Sequence, residues 1–270
     1  MAGRTGTGKP PRTCSQHIVA GGLPNRGKVI LKREEALFPM MVGTLREGVG
    51  GARGKRGGQG LTMELLEDAF TSQEIVVLRA AAFLAGRCQP DAREDQQRLT
   101  ALLENLVKSL PVSELDIMAR PYVEAAMSLA LRGQPDAARR ALLPVVTEYA
   151  NTNQGYLAAF YLAQLGDPSG YPEMLKALHS KNEHDRLMAV RHLIAFKPFD
   201  GQNVRAKTVD VRAQLLERLK DRDAYVRVEV PFLLEEAGIT GLKEILGPVA
   251  KSDRNKDVRE AAGAVMERLK

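Results

Sequence analysis

The feature that most constrains the fold is a pair of short amphipathic segments within residues 209–237, VDVRAQLLERLKDRDAYVRVEVPFLLEEA. In the first segment the apolar residues recur at steps of three and four, and the second segment repeats that pattern after a polar hinge at 221–223. Neither segment is long enough to form a stable helix alone in water. The sequence therefore predicts a helical hairpin that needs neighbouring helices on both sides.

The same spacing of charged residues returns downstream. Asp221 and Arg227 are six residues apart, and so are Asp253 and Arg259. Residues 156–196 carry a variant in which an arginine follows Ser180 by six residues. Recurrence of one supersecondary unit is typical of repeat proteins, in which each unit buries its apolar face against its neighbours.

These segments resemble HEAT repeats, in particular the bacterial HEAT-like repeats that are grouped with biliprotein lyases. The resemblance rests on LKDRDAYVRVEVPFLLEEAG, on KSDRNKDVREAAGAVMERL and on residues 156–196. It is good over roughly 154–270 and weaker over 63–153. It implies an all-α fold, a right-handed α–α superhelix (an armadillo-like helical solenoid) of about five or six helical hairpins.

The resemblance also implies a structural role for the spaced charges. In HEAT repeats the acid of one repeat and the base of the next form a ladder along the solenoid. A catalytic interpretation, with paired charges in a groove, is the alternative, but partly buried ion pairs of this kind position one layer on the next. The residues predicted to form this ladder are Asp221, Arg227, Asp253, Arg259 and Arg186.

From Met63 onward the apolar periodicity predicts helices throughout. One predicted helix spans 114–132. Another spans 136–150 and contains Pro144, which predicts a kink or an early stop because proline removes a backbone hydrogen bond. Residues 197–207 are predicted to form an unusually long connection between two repeat helices.

Residues 1–62 differ in composition from the rest. They hold 14 of the 24 glycines, with 11 lysines and arginines against three acids, and they show no helical or strand period. This composition predicts a disordered Gly/Arg-rich leader, followed by a HEAT-like repeat solenoid over 63–270. An alternative interpretation is that translation starts at Met63 and that the glycine-rich run before it is a translated ribosome-binding site.

The distribution of charge predicts different affinities for nucleic acid in residues 1–62 and residues 63–270. The leader resembles RGG-type tails at 50–58, so nucleic-acid binding through 1–62 is an alternative to a flexible basic linker. Residues 63–270 hold 28 basic and 30 acidic residues, which disfavours nucleic-acid binding there. A HEAT-like DNA glycosylase is a further alternative. The glycosylases that this chain would then resemble have a basic concave face with tryptophans, and the absence of tryptophan from this chain disfavours that alternative. Biliprotein-lyase-like activity is a minor alternative without a short residue signature.

The sequence predicts no catalytic, cofactor or metal site. Cys14 and His17 have no second ligand pair near them. His184 and His192 are two helical turns apart, which is too far to share a metal ion in the usual way. We therefore expect a protein that is not an enzyme.

Neither a membrane span nor a secretion signal is evident, because no segment approaches the ~20 apolar residues that a span requires. Cys14 and Cys88 are far apart in unlike contexts and predict no disulfide framework, which favours a reducing compartment. The expected location is the cytoplasm.

Taken with the resemblance, these observations predict a non-catalytic scaffold that binds another protein. In repeat solenoids the second helices of successive repeats form a long concave binding surface. We expect the contacts to come from polar or aromatic residues of those helices. The predicted partner-binding residues are Tyr161, Arg139, Arg191, His192, Arg222, Tyr225 and Glu229.

Overall fold

The computed structural model of the chain describes residues 40–44, 61–115 and 119–269. Residues 40–44 are helical. The rest of the predicted leader up to residue 60 lies outside the described residues, and with it the Gly/Arg-rich tail and the pair Cys14 and His17. The predictions made for those residues stay predictions.

About three quarters of the described residues are helical, so the predicted all-α class is confirmed. Within the described residues no helix is both long and apolar enough to cross a bilayer. The α-helices are α1 (Met63–Phe70), α2 (Ile75–Arg87), α3 (Arg93–Ser109), α4 (Ala119–Leu131), α5 (Pro135–Glu148), α6 (Asn153–Gln164), α7 (Tyr171–Leu178), α8 (Glu183–Leu193), α9 (Val211–Arg218), α10 (Ala224–Glu236), α11 (Leu242–Ser252) and α12 (Lys256–Arg268).

Two predictions about helix ends differ from the structure. The helix predicted over 114–132 begins at Ala119, after a 3₁₀ turn at Val112–Glu114. Helix α5 continues past Pro144 to Glu148, so of the two predicted outcomes, a kink or an early stop, the early stop is wrong. The long connection predicted over 197–207 is present, and in it a 3₁₀ helix at Ile194–Phe199 leads into a two-stranded hairpin.

That hairpin joins β1 (Asn203–Val204) to β2 (Lys207–Thr208) in antiparallel register. Its two turn residues, Arg205 and Ala206, have φ values of 49° and 63°. Positive φ at both central residues is the geometry that closes a two-residue hairpin. The hairpin lies in the connection that the sequence predicted, but its strands were not predicted, because Arg205 and Ala206 are residues that rarely adopt positive φ.

The chain divides into two compact units, residues 1–138 (unit 1) and 139–270 (unit 2). In unit 1, helices α2 and α4 pack on each other, and both are buried on nearly every side. A Cβ added at Gly86 of α2 would lie 2.3 Å from the Ser128 Oγ of α4, so glycine is what permits this close approach. Arg87 and Glu124 form a buried ion pair at 3.6 Å between the same helices.

Unit 2 is built from consecutive helical hairpins, α7/α8, α9/α10 and α11/α12. The second helices also pack side by side, α6 on α8, α8 on α10 and α10 on α12. We call α6, α8, α10 and α12 the second-helix row. Aliphatic side chains with almost no solvent exposure fill the space between the helices, among them Val190, Leu193, Val226, Val230, Leu234, Val258 and Val265.

Cys88 lies at the end of α2. Its side chain is fully buried, and the expectation that the two cysteines provide no disulfide framework stays a prediction. The only other cysteine of the chain, Cys14, lies outside the described residues.

Candidate functional site

The predicted ladder residues meet where the hairpins of unit 2 join. Arg186 of α8 donates from Nε to Oδ2 of Asp221 at 3.0 Å and from Nη2 to Oδ1 at 3.1 Å. The two side chains are only 4% and 3% exposed. The remaining amino group of Arg186, Nη1, donates to the Ser180 carbonyl at 2.9 Å. One guanidinium thus holds both its own hairpin and the next one.

The following hairpin repeats this arrangement. Arg227 of α10 donates from Nε and Nη2 to the two carboxylate oxygens of Asp253, each at 2.9 Å. Its Nη1 donates to the Asp221 carbonyl at 2.8 Å, and Nη1 of Arg259 donates to the Asp253 carbonyl at 2.7 Å. The base of one hairpin therefore pairs with the acid of the following one, which is the reverse of the order that the resemblance implied.

Short turns before the second helices aim the ladder carboxylates. Oδ1 of Asp221 accepts the backbone N–H of Asp223 at 2.9 Å, and Oδ1 of Asp253 accepts that of Asn255 at 2.9 Å. Asp223 and Asn255 are the N-caps of α10 and α12. Side chains that bond to the backbone two residues on favour such turns, so the sequence itself places each acid at a helix start.

Hydrogen bonds and charge hold both carboxylates in their ionised form. Burial alone would raise the pKa of Asp221, but hydrogen bonds from Arg186 and from the Asp223 N–H outweigh it and the pKa is lowered. The hydrogen bond from Arg227 lowers the pKa of Asp253, against a smaller opposing effect of burial. Every oxygen of these two carboxylates accepts a hydrogen bond, which favours the ionised form of each.

A second ladder runs beside the first and was not predicted. Nη2 of Arg254 donates to the Arg222 carbonyl at 2.8 Å, and Arg222 donates in the same way to the Lys181 carbonyl. The signal in the sequence is an arginine directly after each of the ladder residues Asp221 and Asp253. Arg222, predicted to contact a partner, is thus tied to the preceding hairpin. With Lys220 and Arg254 it lines an open groove of about 620 Å³.

Helix α10 presents an exposed stripe with two aromatic rings. Tyr225 is 75% exposed and Phe232 is 37% exposed, although both are large. Glu229 lies between them, and residues spaced by four and three share one helix face. Glu229 accepts a hydrogen bond from Nε of Arg191 on α8 at 3.0 Å. Two predicted binding residues are therefore an ion pair between neighbouring second helices.

The neighbouring helices of the row extend this face. Arg268 of α12 donates from Nε to Oε1 of Glu235 at 3.0 Å, and its guanidinium lies 5.5 Å from the Phe232 ring centre. On the other side, the rings of Phe160 on α6 and His192 on α8 stack with centres 4.6 Å apart. We call this face the second-helix surface; its residues are Phe160, Tyr161, Arg191, His192, Tyr225, Glu229, Phe232, Glu235 and Arg268.

Seven residues were predicted to contact a partner, and five of them lie on this surface. The exceptions are Arg222, at the loop edge, and Arg139 of α5, which donates from Nε to the Leu165 carbonyl at the end of α6 at 3.2 Å. Phe232, with Phe160, Glu235 and Arg268, was missed. The signal for Phe232 was its spacing of seven residues from Tyr225, which puts both rings on one helix face.

Unit 1 contains a polar pocket of about 450 Å³ beside α3. Arg132 lies at its wall and donates to the Thr100 hydroxyl at 2.9 Å and to the Ala85 and Cys88 carbonyls at 3.0 and 3.1 Å. This guanidinium therefore ties helix ends together. In the described part of the chain no group of three or more His, Cys, Asp or Glu residues is arranged to hold a metal ion.

No family model matches the chain, and no curated protein matches it significantly. The resemblance to HEAT repeats therefore stays a prediction from the sequence pattern.

Proposed function

We propose that unit 2 is part of a HEAT-like solenoid whose function is non-catalytic, and that it binds another protein along the second-helix surface. The observation that carries the proposal is the exposure of Tyr225 and Phe232 on one stripe of α10. Aromatic residues are enriched in protein interfaces, and truncation of a central aromatic anchor often costs much of the binding energy.

Packing within unit 2 supports the solenoid interpretation. Successive second helices contact each other more extensively than the first helices α7, α9 and α11 do. A stack of hairpins bends toward the side on which its helices lie closer, so we infer that the second-helix surface is the concave side. The repeated ladder at Asp221 and Asp253 is what stacking of similar units requires.

Ion pairs across the surface favour binding by limiting its motion. Arg191 and Glu229 join α8 to α10, and Glu235 and Arg268 join α10 to α12. Each of these side chains is partly exposed, so each pair stabilises the fold only slightly. Their effect is to hold Phe232 and its neighbours in one arrangement, which lowers the conformational entropy lost when a partner binds.

The charge of the surface favours a protein partner over a nucleic acid. Two arginines, Arg191 and Arg268, are each paired with a glutamate of the same surface. A nucleic-acid interface needs excess positive charge facing phosphates. Aromatic rings flanked by both positive and negative side chains suit instead a partner protein whose surface carries apolar and charged groups.

Affinity capture with matched variants tests the proposal. The full chain is immobilised as wild type, as Tyr225→Ala/Phe232→Ala and as Arg212→Glu, and cell extract from the source organism is passed over each. Arg212 is exposed on α9, outside the second-helix row, so Arg212→Glu is the control. We expect a protein that wild type and control retain equally and that the aromatic variant loses. Equal retention by all three, or by none, contradicts the proposal.

A further inference from the structure

Helix α10 packs on α12 through one of its faces. The corresponding face of α12, which points away from α10, has equivalent positions in the sequence. Counting from each ladder arginine, Pro231 corresponds to Gly263 and Leu234 corresponds to Met266. Pro231 and Leu234 are buried, whereas Gly263 and Met266 are half-exposed. A Cβ added at Gly263 would meet nothing within 4 Å. Helix α12 thus presents a packing face that none of the described residues covers.

The arginine on this face lacks the acid that its two counterparts bind. Arg186 and Arg227 each direct Nε and Nη2 at the carboxylate of the following hairpin. Arg259 keeps the local bond from Nη1 to the Asp253 carbonyl. Among the residues the structure describes, no carboxylate lies within ion-pair distance of Arg259. The face therefore suits an occupant that brings a carboxylate to Arg259.

We propose that this occupant is the same face of a second copy of the chain. In an antiparallel pair of α12 helices with the two-fold axis at Gly263, residues equally spaced from Gly263 lie opposite each other. Arg259 and the exposed Glu267 are each four residues from Gly263, about 6 Å along the helix on either side. The two-fold axis therefore places Arg259 of one copy against Glu267 of the other, twice.

The small residue at the axis lets the two helices approach closely, and a two-fold contact uses one self-complementary face on both copies. A single helix face falls at the small end of protein interfaces, so the dimer is weak and forms at micromolar or higher concentration. The interface lies on the side of α12 away from the Arg268 and Phe232 contact. It is therefore independent of partner binding at the second-helix surface.

Charge exchange tests the dimer. Sedimentation velocity is run on the full chain over a range from micromolar to millimolar concentration, for wild type, Arg259→Glu, Glu267→Arg and the control Arg212→Glu. We expect reversible dimerisation of wild type and control. Each single variant places like charges opposite each other and weakens the dimer by about tenfold or more.

Mixing the two single variants gives the decisive result. A heterodimer of Arg259→Glu with Glu267→Arg restores an opposite-charge pair at both positions, so the mixture is expected to dimerise although neither variant does so alone. The mixture also controls for misfolding of Arg259→Glu, because a misfolded chain cannot restore dimerisation. A wild type that stays monomeric, or a mixture no more dimeric than its components, overturns the proposal.

Discussion

Asp221→Asn tests whether the buried ladder holds the hairpins of unit 2 together. The substitution changes shape very little and keeps an oxygen that can accept the Asp223 N–H. It removes the negative charge opposite Arg186, whose side chain is 4% exposed. The arginine then remains buried without a counter-charge.

The expected loss of stability follows from that burial. Removal of one partner of a buried ion pair costs about 3–5 kcal/mol, and since asparagine can still accept one bond from Arg186 we expect about 3 kcal/mol. The control is Glu260→Gln. Its partner Lys256 is 3.2 Å away, but the two side chains are 75% and 62% exposed, so the loss is about 0.3–0.5 kcal/mol.

Hydrogen exchange measured by mass spectrometry is the suitable assay, because the chain has two compact units and a global unfolding curve would mix them. For Asp221→Asn, peptides from 183–236 are expected to lose protection, while peptides of unit 1 keep theirs. Adding Arg186→Met to Asp221→Asn is expected to cost much less than the sum of the two single losses. If Asp221→Asn protects 183–236 as well as Glu260→Gln does, the ladder is not what joins these hairpins.

Three further predictions follow from local environments. Because folding lowers the pKa of Asp253, the ionised carboxylate contributes fully to the stability of the fold above about pH 4, and this contribution is lost as the pH falls through the lowered pKa. Acid unfolding curves of Asp253→Asn should therefore depend less on pH than those of wild type. Burial, with smaller effects of nearby acids, raises the pKa of Tyr156 to about 12, and its buried hydroxyl has no hydrogen-bond partner among the residues that the structure describes. Tyr156→Phe should therefore raise the free energy of unfolding by about 1 kcal/mol and reduce the loss of stability between pH 10 and 12 that chemical denaturation detects. Gly86→Ala should destabilise the packing of α2 on α4 by about 1–3 kcal/mol through the contact with Ser128. Gly263 lies in a helix with open space around it, so Gly263→Ala should stabilise the fold by about 0.5–1 kcal/mol. Equal thermal shifts for the two variants would contradict this account.

Local patterns predicted most of the helices and the residues of the ladder. Apolar periodicity located each hairpin of unit 2, and the six-residue spacing identified four residues of the ladder, Asp221, Arg227, Asp253 and Arg259. The same spacing did not reveal which hairpin supplies each partner. That depends on the direction in which hairpins stack, which is a long-range property.

The residues of the second-helix surface were harder to predict, because exposure depends on packing between helices. Arg139 was chosen for its charge, yet it bonds to a helix end 26 residues away in the chain. Tyr156 occupies an apolar stripe, but its hydroxyl and the nearby acids come together only in the fold. The β-hairpin at 203–208 was missed because Arg205 and Ala206 are not residues that normally form such turns.

Site-specific photo-crosslinking tests the central claim, that the second-helix surface is where a partner protein binds. A photoreactive phenylalanine analogue replaces Tyr225, Phe232 or, as control, the exposed Arg212 of α9 in the full chain expressed in its source cells. The proposed function predicts crosslinks to one and the same protein from the first two positions and none to that protein from the third. Crosslinks that are equally strong from Arg212, or absent from both aromatic positions, would contradict it.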